Sequence, residues 1–190
     1  MLRIILPTTY MGSVEWYRQF LAIPSAVQIE VMESFPKQTY RNRCTITTPD
    51  GSLTLSVPVK RADSKQLTRD VEISYQQHWQ HQHWIALVSA YKRTPYFDYY
   101  ADFFRPFYEQ ETRFLVDFNE NIHEVIHQLI RNSEFKIQNS KFTTDWSGLD
   151  LEHCFGNGQS ILDILFEYGP ETAIIIQNSY FAKRAQTIIS

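Results

Sequence analysis

The chain has only two cysteines, Cys44 and Cys154, too few and too far apart for the dense bridging that holds small secreted domains together. No secretory leader is expected before them, because the apolar start Leu2–Leu6 stops at Pro7. Apolar runs are short throughout, and none approaches the ~20 residues that cross a bilayer. Positive charge is not in excess either: 18 Lys and Arg stand against 21 Asp and Glu, a formal charge of −3 and the opposite of what a phosphate backbone selects. Glycine is scarce, and the six present never frame a serine as G-x-S-x-G or build a G-x-x-x-x-G-K-[ST] loop. That removes the nucleophile elbow and the P-loop. Internal repeats, low-complexity tracts and long linkers are also missing. The expectation is one domain over residues 1–190, soluble, reduced and cytoplasmic, with no nucleic-acid partner and no membrane span. At this length a chain buries about 70% of the surface it exposes when unfolded.

Aromatic residues, by contrast, are abundant. There are 4 Trp, 11 Tyr and 13 Phe, and fourteen of them lie between Tyr75 and Phe118. Such rings build a core, or the walls of a cleft for a sugar or ring. Charge is uneven: residues 1–113 carry a small positive excess and residues 114–190 a negative one, so an anionic ligand prefers the first part.

Periodicity predicts an α/β fold, a mixed β-sheet flanked by helices. Arg3–Leu6 ends at Pro7, and Ser13 caps a helix to about Ala22, with Val14, Tyr17, Phe20 and Leu21 near helical spacing. Ala26–Met32 reads as the next strand, giving a β-α-β unit with parallel strands. From Thr39 to Val59 the period is two, broken by Pro49-Asp50-Gly51, the signature of a hairpin. A short strand is expected at Val71–Tyr75 and helices near 76–93, 97–110 and 111–131. A last helix is expected at Ser160–Tyr168, ending at Gly169-Pro170, and a last strand at Ala173–Ile176.

Three motifs carry chemistry. His123-Glu124-Val125-Ile126-His127 matches H-E-x-x-H on a helix, the spacing that sets two imidazoles one turn apart for zinc, with the Glu as general base. Ile122, Val125, Ile126 and Leu129 claim the apolar stripe, however, so the histidines fall at its flank, and only Glu152 or His153 offers a third ligand. The preferred reading is no metal, with zinc hydrolysis a remote alternative. In Lys37-Gln38-Thr39-Tyr40-Arg41-Asn42-Arg43, a strand sets Arg41 and Arg43 on one face about 7 Å apart. Two such guanidiniums suit carboxylate or phosphate oxygens; the plainer alternative is an edge strand protected by charge. Finally, Trp79, His83 and Leu87 share one helical line, which leaves His83 partly desolvated, as a satisfied core residue or as one tuned to move a proton.

In order along the chain, these segments resemble the WbqC-like family of bacterial proteins. The resemblance rests on Leu6-Pro7-Thr8-x-Tyr10, the Lys37–Arg43 block, Leu55-Ser56-Val57-Pro58-Val59, Trp79 with His83-Trp84, Tyr91, Pro95-Tyr96-Phe97, Ile161-Leu162-Asp163 and Gly169-Pro170-Glu171. Departures are Leu6 where many members have Gln, Met11-Gly12-Ser13 after the first aromatic, and Glu30 and Glu33 where an Asp pair is common. The resemblance implies a place among genes for O-antigen and other surface polysaccharides, and a transferase moving glycine or another amino-acyl group to a sugar. The alternative is a non-catalytic module that binds a nucleotide-sugar or a partner enzyme. On the first reading His83 removes a proton from the acceptor. Lys37, Arg41, Asn42 and Arg43 hold a small anionic ligand, an activated sugar or amino-acyl donor, while Trp79, Trp84 and Tyr91 wall the pocket. The cofactor is unassigned and a homo-oligomer is left open.

Overall fold

In the computed structural model, residues 4–22, 26–60, 65–138 and 159–177 are described. Strand β1 (Ile4–Pro7) pairs in parallel with β2 (Val27–Glu30), from Ile4↔Val27 to Pro7↔Glu30, and helix α1 (Val14–Ala22) joins them. Ser13 caps α1, its hydroxyl accepting from the Trp16 N–H at 3.3 Å. The β-α-β unit is thus present, and the carboxyl ends of both strands face the same way.

The hairpin follows as β3 (Arg43–Thr48) and β4 (Gly51–Ser56), in antiparallel register with Cys44 opposite Leu55 and Ile46 opposite Leu53. Gly51 takes a φ of 116°, the positive value that the Pro-Asp-Gly turn foretells. Parallel and antiparallel pairing therefore both occur, in two separate two-stranded sheets. The stretch read as a strand at Val71–Tyr75 is an extended segment that bonds on both sides: Lys60 N–H donates to Glu72, Ser74 N–H to Pro58 and Ile73 N–H to Arg113.

Four helices build the other layer: α2 (Trp79–Tyr91), α3 (Phe97–Phe104), α4 (Pro106–Glu109) and the long α5 (Leu115–Gln138). Pro106 splits the single helix expected over 97–110, because it cannot donate to the preceding turn. On α5, Phe118, Ile122, Ile126 and Ile130 are all buried, as their spacing requires. Among the described residues no helix is long and apolar enough to cross a membrane.

Helix α6 (Ile161–Tyr168) closes the core, capped by Ser160, whose hydroxyl accepts from the Leu162 N–H. The strand expected at Ala173–Ile176 is a correction: a 3-10 turn at Gly169–Glu171 leads into a helical segment over 172–177. The β-branched isoleucines favour a strand locally. Pro170, however, starts a new turn well, the Thr172 hydroxyl closes it by donating to the Gly169 carbonyl at 2.7 Å, and Ala173, Ile175 and Ile176 are buried there.

Gly169 ends α6 with φ 49° and ψ −114°, and a Cβ there would stand 2.4 Å from ring carbons of Tyr96. Strain and clash act together, so Gly169→Ala lowers stability by about 2 kcal/mol, roughly 4–8 °C in Tm. A melting curve within a degree of the parent contradicts this packing.

Candidate functional site

Three polar centres lie along the core, and the expected site residues divide among them. The first is at the carboxyl ends of β1 and β2, where Thr8, Thr9 and Tyr10 are buried without regular structure of their own. The Tyr10 N–H and the Thr9 hydroxyl both donate to the Tyr40 carbonyl, at 3.0 and 3.1 Å. Asn119 of α5 donates to the Arg41 carbonyl at 2.8 Å and to the Thr8 hydroxyl at 3.2 Å. The Thr8 hydroxyl in turn donates to Glu120, whose carboxyl burial pushes above its ordinary range while that bond pulls it back.

Arg41 belongs to this centre and not to a strand: it sits in the turn before β3 and is 6% exposed. Its Nε donates to Glu33 at 2.6 Å and a second nitrogen pairs with the same carboxylate oxygen, so any anion arriving there competes with Glu33. Asn42 is buried and donates to the Val57 carbonyl at 3.0 Å, which pins the turn to the end of β4. Arg43 begins β3, half-buried, its Nε without a hydrogen-bond partner among the described residues. Lys37 is exposed. The strand expected to carry both Arg41 and Arg43 begins only at Arg43.

The second centre is built on α2, where Trp79, His83, Leu87 and Tyr91 form one buried line. Nδ1 of His83 lies 2.9 Å from the Tyr10 hydroxyl, which lies 2.9 Å from the Tyr108 hydroxyl. Burial holds His83 down at about 4, and a backbone hydrogen bond at Ser56 acts the other way. The tautomer that satisfies both contacts donates to the Ser56 carbonyl and accepts from Tyr10, while Tyr10 accepts from Tyr108. Both ring nitrogens are therefore engaged inside the protein. Trp79 meets His83 edge-on at 5.0 Å, and Trp84 lies between Phe97 and Tyr108.

The third centre is a cavity of about 430 Å³ under the hairpin turn, lined by Thr47, Thr48, Pro49, Ala90, Tyr91, Thr94, Gln159, Asp163, Ile164, Glu167 and Tyr168. Oδ1 of Asp163 accepts from the Tyr91 hydroxyl at 2.7 Å and from the Thr47 N–H at 3.0 Å. Gln159 donates to the Thr47 hydroxyl at 2.9 Å. Burial first, then the neighbouring Asp163, raises the Tyr91 phenol well above its ordinary value, so it stays a donor. Of the residues expected to touch ligand, Tyr91 alone lines a described cavity. A second cavity of about 490 Å³ lies between Lys60, Glu72 and Arg113, but Glu72 accepts from both cations, which hold its carboxyl below the usual range.

The His123 and His127 rings lie at the flank of the stripe, stacked 6.1 Å apart, and His123 meets Tyr17 through a 3.0 Å hydrogen bond. Phe20 packs edge-on against both rings. Among the described residues no group of three His, Cys, Asp or Glu side chains is placed to hold a metal, and Glu152, His153 and Cys154 lie outside them.

Sequence reasoning gave no role to Tyr10, Tyr108, Asn119, Glu120 or Asp163. Asn119 carried a signal, being a polar residue directly after Phe118 on a helix whose stripe is otherwise apolar. Asp163 stands in the Ile161-Leu162-Asp163 motif, but its partners Tyr91 and Thr47 are remote in sequence, so spacing shows no role for it.

Two outcomes follow from these centres. An unfolded chain protonates His83 and His123 near 6.5, but burial, helped at His123 by His127, holds each at about 4 in the fold. The unfolded state thus binds more protons between these values, so stability is full above about 6.5 and falls as pH drops toward about 4. Proton NMR of the imidazoles should give two of the six histidines midpoints below pH ~5; ordinary midpoints for all six contradict the burial. Separately, Glu33→Gln strands the Arg41 charge and costs about 1–3 kcal/mol. Glu109→Gln, in an exposed pair with Arg105, leaves stability nearly unchanged. Equal losses by denaturant unfolding would show that Arg41 does not depend on Glu33.

Against known families, residues 17–145 match the model of the WbqC-like protein family, a span that runs from α1 to past α5 and stops short of α6. No curated protein and no solved structure matches.

Proposed function

The chain belongs to the WbqC-like protein family, and from that membership we propose that it acts in the biosynthesis of O-antigen or other bacterial surface polysaccharides by binding a carbohydrate unit in the cavity beside Tyr91. The observation that carries the reading is the lining. Tyr91, Tyr168, Ala90 and Ile164 supply apolar and aromatic wall, while Thr47, Thr48, Thr94, Gln159 and Asp163 supply hydroxyl, amide and carboxylate groups. A sugar ring needs both, an apolar surface for its face and convergent polar atoms for its hydroxyls. The volume of about 430 Å³ falls within the range of small-molecule sites.

The catalytic form of the reading is a cytoplasmic transferase, and one feature of the cavity favours it. Asp163, whose Oδ1 accepts from Thr47 and Tyr91, belongs to the cavity wall. Such a carboxylate can take the proton of a sugar hydroxyl as that oxygen bonds to the acyl carbon of an amino-acyl donor, while the donor's bond from that carbon to its leaving group breaks and the leaving group departs with the electron pair. His83 then serves as a positioning residue, since its two nitrogens face Tyr10 and Ser56. Arg41 is held by Glu33, and neither Arg43 nor Lys37 lines the cavity, so no residue is assigned to an anionic donor.

Saturation-transfer NMR against a panel of monosaccharides tests the binding step. Asp163→Asn keeps an oxygen for the Thr47 N–H but removes the charge, and should weaken the best sugar by about tenfold, or ~1.4 kcal/mol. Unchanged affinity in that variant, or no sugar bound by the parent chain, overturns the assignment.

A further inference from the structure

We infer that the protein pairs with a second copy of itself along the outer edge of β4, joining the two hairpins into one sheet across a two-fold axis at Leu53. Strand β3 is bordered on both sides, by β4 and by the Ser160 N–H, which donates to the Thr45 carbonyl at 2.8 Å. Strand β4 is bordered on one side only. The Val57 N–H donates to the Asn42 carbonyl at 2.8 Å, which fixes the alternation of the ladder: Leu53 and Leu55 turn their backbone groups toward β3, and Ser52 and Thr54 turn theirs outward. Among the described residues nothing bonds to those outward groups of Ser52 and Thr54. Farther along, the Ser56 carbonyl is already taken by His83. Edge strands are ordinarily blunted by a lysine, a proline or a bulge; Gly51–Ser56 has none of these, and its register with β3 is unbroken. Leu53 shows the same gap from the side-chain direction. It stands opposite Ile46 on the face where Cys44, Ile46 and Leu55 are buried, yet it is 40% exposed, because no strand lies beyond it.

The groups on this edge are their own complement. An antiparallel copy turned about an axis through Leu53 sets Ser52 opposite Thr54 of the partner and Thr54 opposite its Ser52, so every outward N–H and C=O of both residues is paired. Leu53 then faces its own copy at the closely spaced, non-hydrogen-bonded position, where side chains make most contact. Two-fold pairing sets each residue against itself or its symmetry mate, so any charge on this stretch would meet its like, and the stretch carries none. Opposite charges meet just outside it. The register places Asp50 of the partner opposite Ser56, and Arg43 stands on the far side of Ser56 in β3, about 10 Å away over two strand spacings. Neither Arg43 nor Asp50 has an ion-pair partner among the described residues. A long guanidinium side chain and the partner's carboxylate span that gap, twice about the axis. Pairing over Ser52–Thr54 buries little beside the ~800 Å² per partner of a standard interface, so the dimer is weak and forms as concentration rises.

Sedimentation velocity of the full chain from about 1 μM to about 1 mM should show the mass rising from one chain toward two. Thr54→Pro removes an outward N–H and no bond to β3, and Leu53→Lys sets like charges face to face. Each should weaken association by about tenfold or more while keeping the far-UV circular dichroism of the parent. Asp50→Asn keeps the turn chemistry and should weaken it severalfold, a difference that high salt erases. Leu53→Cys reads the geometry without weakening the pair: air oxidation should link two chains through residue 53, whereas Thr54→Cys, facing Ser52 of the partner, links far more slowly. A chain that stays single across the range overturns the inference and leaves the edge to a strand from another protein. A dimer that Thr54→Pro and Leu53→Lys leave intact, or that Leu53→Cys does not link, overturns it as well and puts the contact elsewhere.

Discussion

Between the end of β1 and the start of α1 the chain runs through the middle of the protein with neither helix nor strand, and from Thr8 to Gly12 every residue is buried. Buried backbone without a ladder of its own must borrow partners, and the partners borrowed here come from every other part of the fold. Tyr40 receives the Tyr10 N–H, the Ser160 hydroxyl donates to the Met11 carbonyl at 2.9 Å, and the Ile161 N–H donates to the Gly12 carbonyl at 2.9 Å. Asn119 reaches the Thr8 hydroxyl from α5, and the Tyr10 phenol reaches His83 on α2 and Tyr108 on α4. Met11 holds a φ of 46°, a strained value for a long side chain that costs about 1–3 kcal/mol and persists because its neighbours are fixed on both sides. The hairpin, α2, α5 and α6 are therefore positioned by one segment.

That constraint separates scaffold from site. Polar groups joined to the buried segment are engaged inside the protein: His83 between Tyr10 and Ser56, Arg41 on Glu33, and the Asn42 amide N–H on Val57. Groups farther out, where α6 meets the hairpin and the last turn of α2, enclose space instead. The same α6 start that donates to Gly12 sets Asp163 against Thr47 and Tyr91. Tyr91 belongs to both regions, since its ring continues the His83 line and its hydroxyl enters the cavity wall.

Local patterns were legible where a single element decides the outcome. The Trp79-His83-Leu87 line, the α5 stripe and the Pro-Asp-Gly turn all follow from spacing, and the structure holds them as spaced. Arg41 was misplaced because alternation from Tyr40 to Ile46 extends a strand past its real start, and nothing local announces that Glu33 will fold back onto the guanidinium. The isoleucines after Gly169 were misread for the opposite reason: their preference for a strand is overridden by burial against the core. The cavity was invisible because its walls come from three stretches remote in sequence, β3 with its turn, the end of α2 and α6, which the fold alone assembles.

The central claim is that the cavity at Tyr91 and Asp163 is where this protein meets its ligand, while the arginine turn and His83 hold the fold. A crystal structure of the chain soaked with the tightest-binding monosaccharide of the panel reads this directly. The account predicts a sugar ring against Tyr91 and Tyr168 with a polar group within hydrogen-bond distance of Asp163. Density at Arg41 and Arg43 with Glu33 displaced, and an empty cavity, would contradict it.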